Sequence, residues 1–487
     1  MSSVLVHREA AGDVELLEIG PWRAKLLERA RAGLRPVTMY GRRDGDRVLL
    51  TVVHQDGSRL VVSRTSVEPT HGYHELTSDL PALHCFEREL HEQFGLRIAG
   101  HPWLKPVRFE GLDQAAMGSY PFYRVDGKEV HEVAVGPIHA GVIEPGSFRF
   151  MCFGEHVLHL EIHLGYQHRG VESRLLEREP RALAPWIETL AGDTSVGHCW
   201  AYCAAIEQLV GHELDPEIEL ARAVALELER VAMHLAGLSG LSADVGFLPG
   251  ASTYGRLRTT AINTSMRLCG SRFGRGALRP GGNGMLLDEE LAALVRANVS
   301  LLRHDGAIID DCFLSARSVR HRLAAVGVLS PETATQLGVV GMAARSAGIA
   351  IDTRPPAQGI YEHHPIKLCT ESGGDCWARA RLRIAEIDAS LSWLERVMGE
   401  PRAWKPQRSQ LPALPSSRLA IAVVEGWRGE VVHCLETGAD GALVHYKVQD
   451  PSLRNWMGLA VAVRGNDISD FPICNKSFDL SYCGNDL

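Results

Sequence analysis

The sequence has little cysteine and lacks the Cys-x-x-Cys pair. Eleven cysteines are spread over 487 residues, and none forms a Cys-x-x-Cys. The closest are Cys199 with Cys203, Cys369 with Cys376, and Cys474 with Cys483. That is too sparse for a disulfide scaffold, so free thiols are expected. No run of about 18 apolar residues occurs, which excludes an obvious membrane-spanning helix. The N-terminal stretch carries acids and lacks the compact apolar core of a signal peptide. Excess positive charge is also missing: 51 Lys and Arg against 59 Asp and Glu leave −8, which argues against a nucleic-acid binder. There is no Gly-x-Gly-x-x-Gly after a strand, no P-loop, no His-Glu-x-x-His and no iron–sulfur cysteine run. Such a chain either works on a substrate brought by partners or is not a self-contained enzyme.

What is present is an ordinary globular mixture, 45% hydrophobic and 23% charged, which excludes disorder, collagen and coiled coil. The length suggests two to four domains at about 150 residues each. Residues 22–33 read as a short amphipathic helix ending at Gly33. Three β-rich runs follow, Pro36–Arg42, Arg47–His54 and Arg59–Arg64, separated by Asp-Gly turns, and they predict a meander. A helix is expected from Asp79, with Pro81 in its first turn and Gly95 as its stop. Phe148–Phe153 and His156–Leu164 predict a hairpin around Gly154. Long helices are predicted over 216–240, 288–326 and 375–398. Short β-runs return at Arg418–Glu425, Val431–Leu435 and Gly441–Lys447.

Few local patterns carry chemistry. His159, Glu161 and His163 would share one strand face, about 7 Å apart along it, too wide for adjacent ligands of one ion. A polar sheet face is the simpler reading. Cys199 and Cys203 fall on one face of a helix if 195–210 is helical, and two thiols alone cannot fill a tetrahedral site. Arg169, Glu172 and Arg174 suit a solvated first turn. Asp352 and Arg354, before a double proline, suit either a ligand or a pinned loop.

Two blocks are recognisable. FERELHEQFGLRIAGHPWLKPVRF (86–109) resembles the smaller quinone-module subunit of respiratory complex I, with Gln93 as a departure. GPIHAGVIEPGSFRF (136–150) and GYQHRGVE (165–172) resemble the large, 49-kDa-type subunit. They are closer still to the large subunit of group 4 [NiFe] hydrogenases of the hydrogenase-3, hydrogenase-4 and formate hydrogenlyase type. LELERVAMHLAGL (226–238), ARSAGIAIDTR (344–354), GGDCWARARLRIAEI (373–387) and VVEGWRGEVVHCL (423–435) also fit. The resemblance implies an α+β fold. A small complex I 30-kDa-like domain (1–110) is followed by a linker (111–135). A large, mainly helical hydrogenase-like domain with small peripheral sheets (136–487) completes it.

The resemblance also locates the metal ligands. Matching His198, Tyr202 and Glu207 places the first cysteine pair at Ala191 and Thr194. Matching Asp479 and Tyr482 places the second at Ser481 and Gly484. Soft thiolates hold nickel and iron in such sites, and these residues cannot replace them. No [NiFe] centre is therefore expected, and the sequence ends soon after Gly484, leaving no peptide for cleavage after metal insertion. Complex I uses the vacated cavity for a quinone headgroup, with a histidine matched here by His139 and a tyrosine matched by Gly192. The candidate catalytic residues are His139, Glu172, His198, Asp352 and Arg354, with His139 and His198 toward a quinone. The implied setting is the inner face of the cell membrane, reached through partners. Those partners are a small subunit with a 4Fe–4S cluster and membrane antiporter-like subunits. Three readings stay open: a subunit whose metal-free cavity binds a quinone or another small acceptor, a structural or coupling subunit, and a hydrogenase with unusual ligands. For the last, Cys199, Cys203, Cys474 and Cys483 are the donors that remain.

Overall fold

A computed structural model describes residues 2–110, 114–141, 143–354 and 359–487, without the side chains of 114–116. The start of the expected linker (111–113) and the double proline after Arg354 lie outside the described residues.

The chain opens with β1 (Leu5–Ala10), then α1 (Ile19–Arg31) and the expected meander β2 (Arg35–Asp44), β3 (Arg47–Asp56) and β4 (Arg59–Val67). Asp-Gly turns give the meander its tight corners, with Gly45 and Gly57 at positive φ. The helix expected from Asp79 begins instead as a 3-10 turn at Pro81–Leu83 and continues as α2 (His84–Phe94). Asp79 pairs with Arg23 at 2.5 Å rather than capping it. Gly95 at φ +64 ends α2, because an L side chain resists that conformation.

The large unit begins with β5 (Val130–Val135), β6 (Ser147–Phe153) and β7 (His156–His163), an antiparallel sheet in the order β7-β6-β5. A register shift between Val157 and His159 leaves Leu158 43% exposed, so it does not share the buried face of Leu160. The helical body holds α3 (Ser195–Val210), α4 (Pro216–Asp244), α5 (Leu248–Cys269), α6 (Glu289–Ser315) and α7 (Cys376–Met398). The run expected over 288–326 breaks at Ala316, and a short helix, Arg317–Leu323, follows. α3 is buried nearly all round, as its uniformly apolar sequence requires. β8 (Arg418–Glu425), β9 (Glu430–Thr437) and β10 (Leu443–Gln449) lead into α8 (Pro451–Ala462), α9 (Phe471–Phe478) and α10 (Tyr482–Asp486).

β1 does not stay with the small unit. It pairs antiparallel with β8, Leu5 opposite Val423, and heads the four-stranded sheet β1-β8-β9-β10. Val37, Tyr40 and Val53 of the meander pack with Ile421, Val423 and Val432 in one apolar cluster. Buried ion pairs tie the same contact, among them Arg64 with Glu436 at 2.6 Å and Lys447 with Glu89 at 2.6 Å. No helix among the described residues is long and apolar enough to cross a membrane.

Candidate functional site

Three loops converge where the four vacated ligand positions fall. The first is the turn 191–194 that feeds α3. Thr194, its N-cap residue, gives no side-chain cap; instead the Glu229 carboxylate of α4 accepts from Val196 N at 2.7 Å and Gly197 N at 3.2 Å. Burial pushes the Glu229 carboxyl up to about 8 despite these bonds. The second is the β8–β9 turn carrying Trp427 and Arg428. The third is the segment 479–484 between α9 and α10, where Ser481 Oγ accepts from Gly484 N at 2.9 Å.

Arg428 joins the three. Its Nη1 and Nη2 donate to the two Asp193 oxygens at 2.7 and 2.6 Å, Nη1 reaches Thr194 Oγ1 at 3.3 Å, and Nε donates to the Asp479 carbonyl. Burial opposes its charge, but Asp193, then Asp479 and Asp450, raise its pKa above the usual guanidinium range. A cleft of about 310 Å³ remains beside it, lined by Gly192, Asp193, Arg428, Lys476, Ser481 and Cys483. Gly192 keeps it open: a Cβ added there would meet only Arg275 Nη2, at 3.8 Å. Burial, then Glu144, pushes the Cys483 thiol up to about 11, so it is not a thiolate at neutral pH.

Behind Gly484 lies Asp450, the N-cap of α8. Its carboxylate starts a buried chain: His198 Nε2 at 3.1 Å, His198 Nδ1 to His433 Nε2 at 3.1 Å, and His433 Nδ1 to Tyr446 Oη at 2.8 Å. One directed arrangement satisfies all four groups, with Tyr446 donating to His433, His433 to His198, and His198 to Asp450. Burial opposes the Asp450 charge, yet the His198 bond and Arg428 hold its pKa below the ordinary value.

Comparison with known proteins bears on this arrangement. The family described as respiratory-chain NADH dehydrogenase, 49 Kd subunit, matches residues 244–413. Formate hydrogenlyase subunit 5 of Escherichia coli is 28% identical over 84% of this chain and 76% of its own length. NADH-quinone oxidoreductase subunit 4 of Thermus thermophilus is 29% identical over 72% of this chain and 92% of its own. The chain is similar to the complex I 49-kDa subunit over the stretch 244–413. In fold it is also similar to a chain of the membrane-bound sulfane sulfur reductase, an archaeal respiratory membrane complex. That match has a TM-score of 0.68 and 23% identity, over 75% of this chain and all of that one.

The family's hydrogenase branch implies a nickel–iron centre, and the residues present do not fit one. None of Ala191, Thr194, Ser481 and Gly484 supplies a thiolate. The space is also taken: a Cβ on Gly484 would lie 2.6 Å from Asp450 Cγ and 2.9 Å from Ser481 Oγ. Cys199 and Cys203 are buried in the core, and Cys474 lies 4.0 Å from Cys376, so neither pair faces the cleft.

The structure places the sequence candidates apart. His139 does not line the cleft; its Nε2 lies 2.8 Å from the Gly146 carbonyl of its own loop. His198 is fully buried with both ring nitrogens engaged, so it reaches the site only through Asp450. His139 and His198 therefore do not meet at the cleft: His139 Nε2 is held by its own loop, and His198 is enclosed with both ring nitrogens engaged. Glu172 accepts from Val448 N at 2.8 Å and pairs with Lys447 at 3.1 Å, a strut to β10. Asp352 and Arg354 pair with each other at 2.7 Å, and Arg354 continues to Glu227 at 3.0 Å, a buried network rather than a cleft wall. Arg169 is exposed, and its Nη2 also donates to the carbonyls of Leu190 at 3.0 Å and Cys483 at 3.1 Å, linking two of the loops. Sequence reasoning missed Asp193, Asp450 and Tyr446. Asp450 had a signal, since Asp-Pro-Ser at a strand's end marks a helix cap.

Proposed function

We propose that the chain is the large subunit of a membrane-attached oxidoreductase complex of the complex I and group 4 hydrogenase type, and that it works without nickel. A small partner protein bearing a 4Fe–4S cluster supplies electrons, and membrane antiporter-like partners anchor the complex. The cleft at Arg428 takes the electron acceptor. Of the two acceptor classes expected, the charged Asp193, Arg428, Lys476 and Asp479 favour a small polar molecule over a quinone, with Ile143, Leu480 and Tyr482 supplying the apolar part of the wall. Asp193, Asp479 and Glu144 are the carboxyl groups near enough to the cleft to pass protons to the reduced product. The single observation that supports this reading is the open cleft at Arg428 beside a ligand site already filled by Asp450 and Ser481.

Elemental analysis of the purified native complex is the first test, with no nickel expected and iron accounted for by partner clusters. Nickel at one per chain would overturn it. In the same complex Arg428→Met is expected to lower acceptor reduction by about tenfold or more, as loss of a charged contact does. A structural or coupling role is the second reading, favoured by the infilling of the ligand site. It requires Arg428→Met to leave turnover unchanged while assembly is intact.

A further inference from the structure

A second cavity, of about 240 Å³, lies between α2 of the small unit and β7 and α8 of the large one. Leu160, Leu453 and Ala460 are among its mostly apolar walls, yet His84, His159 and Trp456 line it too. His84 is 7% exposed, and neither of its ring nitrogens has a hydrogen-bond partner among the described residues. Trp456 is 5% exposed and its Nε1–H is likewise unpartnered. His159 Nδ1 lies 3.3 Å from Arg464 Nη2. A guanidinium only donates, so Nδ1 accepts and the ring proton sits on Nε2. That Nε2–H is also buried without an acceptor among the described residues. Buried polar groups are nearly always paired, so three unpaired ones around one cavity are the mark of something that pairs them.

Of the charged groups on the walls, Glu161 and Arg88 are hydrogen-bonded within the protein, and Arg464 is exposed to solvent. Glu161 accepts from Lys105 Nζ at 2.5 Å and Tyr123 N at 2.6 Å. Arg88 donates to the carbonyls of Lys105 at 2.7 Å and Pro106 at 2.9 Å. Burial, then Arg88, pushes His84 down to about 3, and burial, then Arg464, lowers His159, so both rings stay neutral. What is left over is an apolar space with two fixed donors and one imidazole able to donate and accept.

We infer that this cavity binds a small uncharged aromatic molecule bearing oxygen, a phenol or aryl ketone. The His159 and Trp456 N–H groups donate to its oxygen, and His84 pairs with an oxygen or hydroxyl. The site is separate from the Arg428 cleft and does not rest on the function proposed for it.

The test uses the purified full chain and two probes of nearly the same shape, 4-hydroxyacetophenone and p-cymene, which lacks the oxygens. Binding is followed by ligand-observed NMR with titration. 4-Hydroxyacetophenone is expected to bind more tightly than p-cymene, and His84→Phe to weaken it by about tenfold, the loss of one or two hydrogen bonds. p-Cymene binding should be unmoved by that change. Ala460→Phe, which fills the cavity, should abolish both. Circular dichroism checks each variant's fold, and His159→Phe serves if His84→Phe does not fold. Equal binding of the two probes, or phenol binding that both histidine variants leave intact, overturns the inference.

Discussion

At Gly484 the absence of a side chain is what lets Asp450 hold its place. An added Cβ would meet the Asp450 carboxyl at 2.6 Å, backed by His198 and Ser452 N. Restoring a cysteine there is therefore expected to overpack the site, not to rebuild a metal centre. Gly484→Cys should cost about 1–3 kcal/mol, read as a lower urea midpoint. Ser481→Cys combined with Gly484→Cys should still take up no stoichiometric nickel, because Ala191 and Thr194 supply no thiolates. Uptake of one nickel per chain by the double variant would show that the packing yields easily. Residue identity at these positions was legible once the resemblance was aligned. The filling of the space by a carboxylate from α8, many residues away in sequence, was not.

At the scale of elements, α3 is held by a residue from its neighbour. Glu229 of α4 satisfies two of the first N–H groups of α3, a task usually done by the N-cap side chain. Its folded pKa, about 8, lies above the ordinary carboxyl value, so its contribution is fully present below about pH 4.5 and is lost as pH rises through about 8. Glu229→Gln keeps a carbonyl acceptor without the buried charge and is expected to be near neutral at about pH 4.5 and stabilising at pH 8. Glu229→Ala leaves the two donors bare and should cost about 2 kcal/mol or more. Urea denaturation of both variants at the two pH values checks the pair; equal losses would rule out the capping role. The sequence supports a helix over 195–210 only conditionally and shows no cap for it, since a cap from another helix leaves no local pattern.

Across the whole molecule, histidines are buried far more often than their spacing suggested. Burial lowers the pKa of His54 and His84 to about 3, and of His101, His163 and His234 to about 4. In the unfolded chain each regains an ordinary value near 6.5. Depressed folded values give stability that is complete above about pH 6.5 and is lost as pH falls toward 4 and 3. Glu229 and Asp310, raised to about 8 and about 6, act in the opposite sense, as do other buried carboxyls such as Glu92. Glu89, Glu227, Glu386, Glu430 and Asp450, held below their ordinary range by neighbouring cations and histidines, act with the lowered histidines. The urea midpoint is therefore expected to fall steadily from pH 7 to pH 4, and a flat profile would contradict the burial described. His163 shows what the polar face read on β7 leaves open: Tyr120 stacks on it with ring centroids 4.3 Å apart.

The amino-acid sequence alone determined the meander of the small unit, the hairpin around Gly154, the helices near 216–240 and 375–398, the likeness to complex I and hydrogenase large subunits, and the absence of cysteine at the four matched positions. Those properties are local, set by turn chemistry, apolar periodicity and residue identity along the chain. Tertiary structure decided what replaced the metal. Arg428 meets Asp193, Asp450 meets Gly484, and β1 pairs with β8 only because distant segments are folded together. It also decided that His139 turns onto its own loop and that His198 is enclosed, since a side chain's availability depends on which neighbours claim its hydrogen bonds, and those neighbours are remote in sequence.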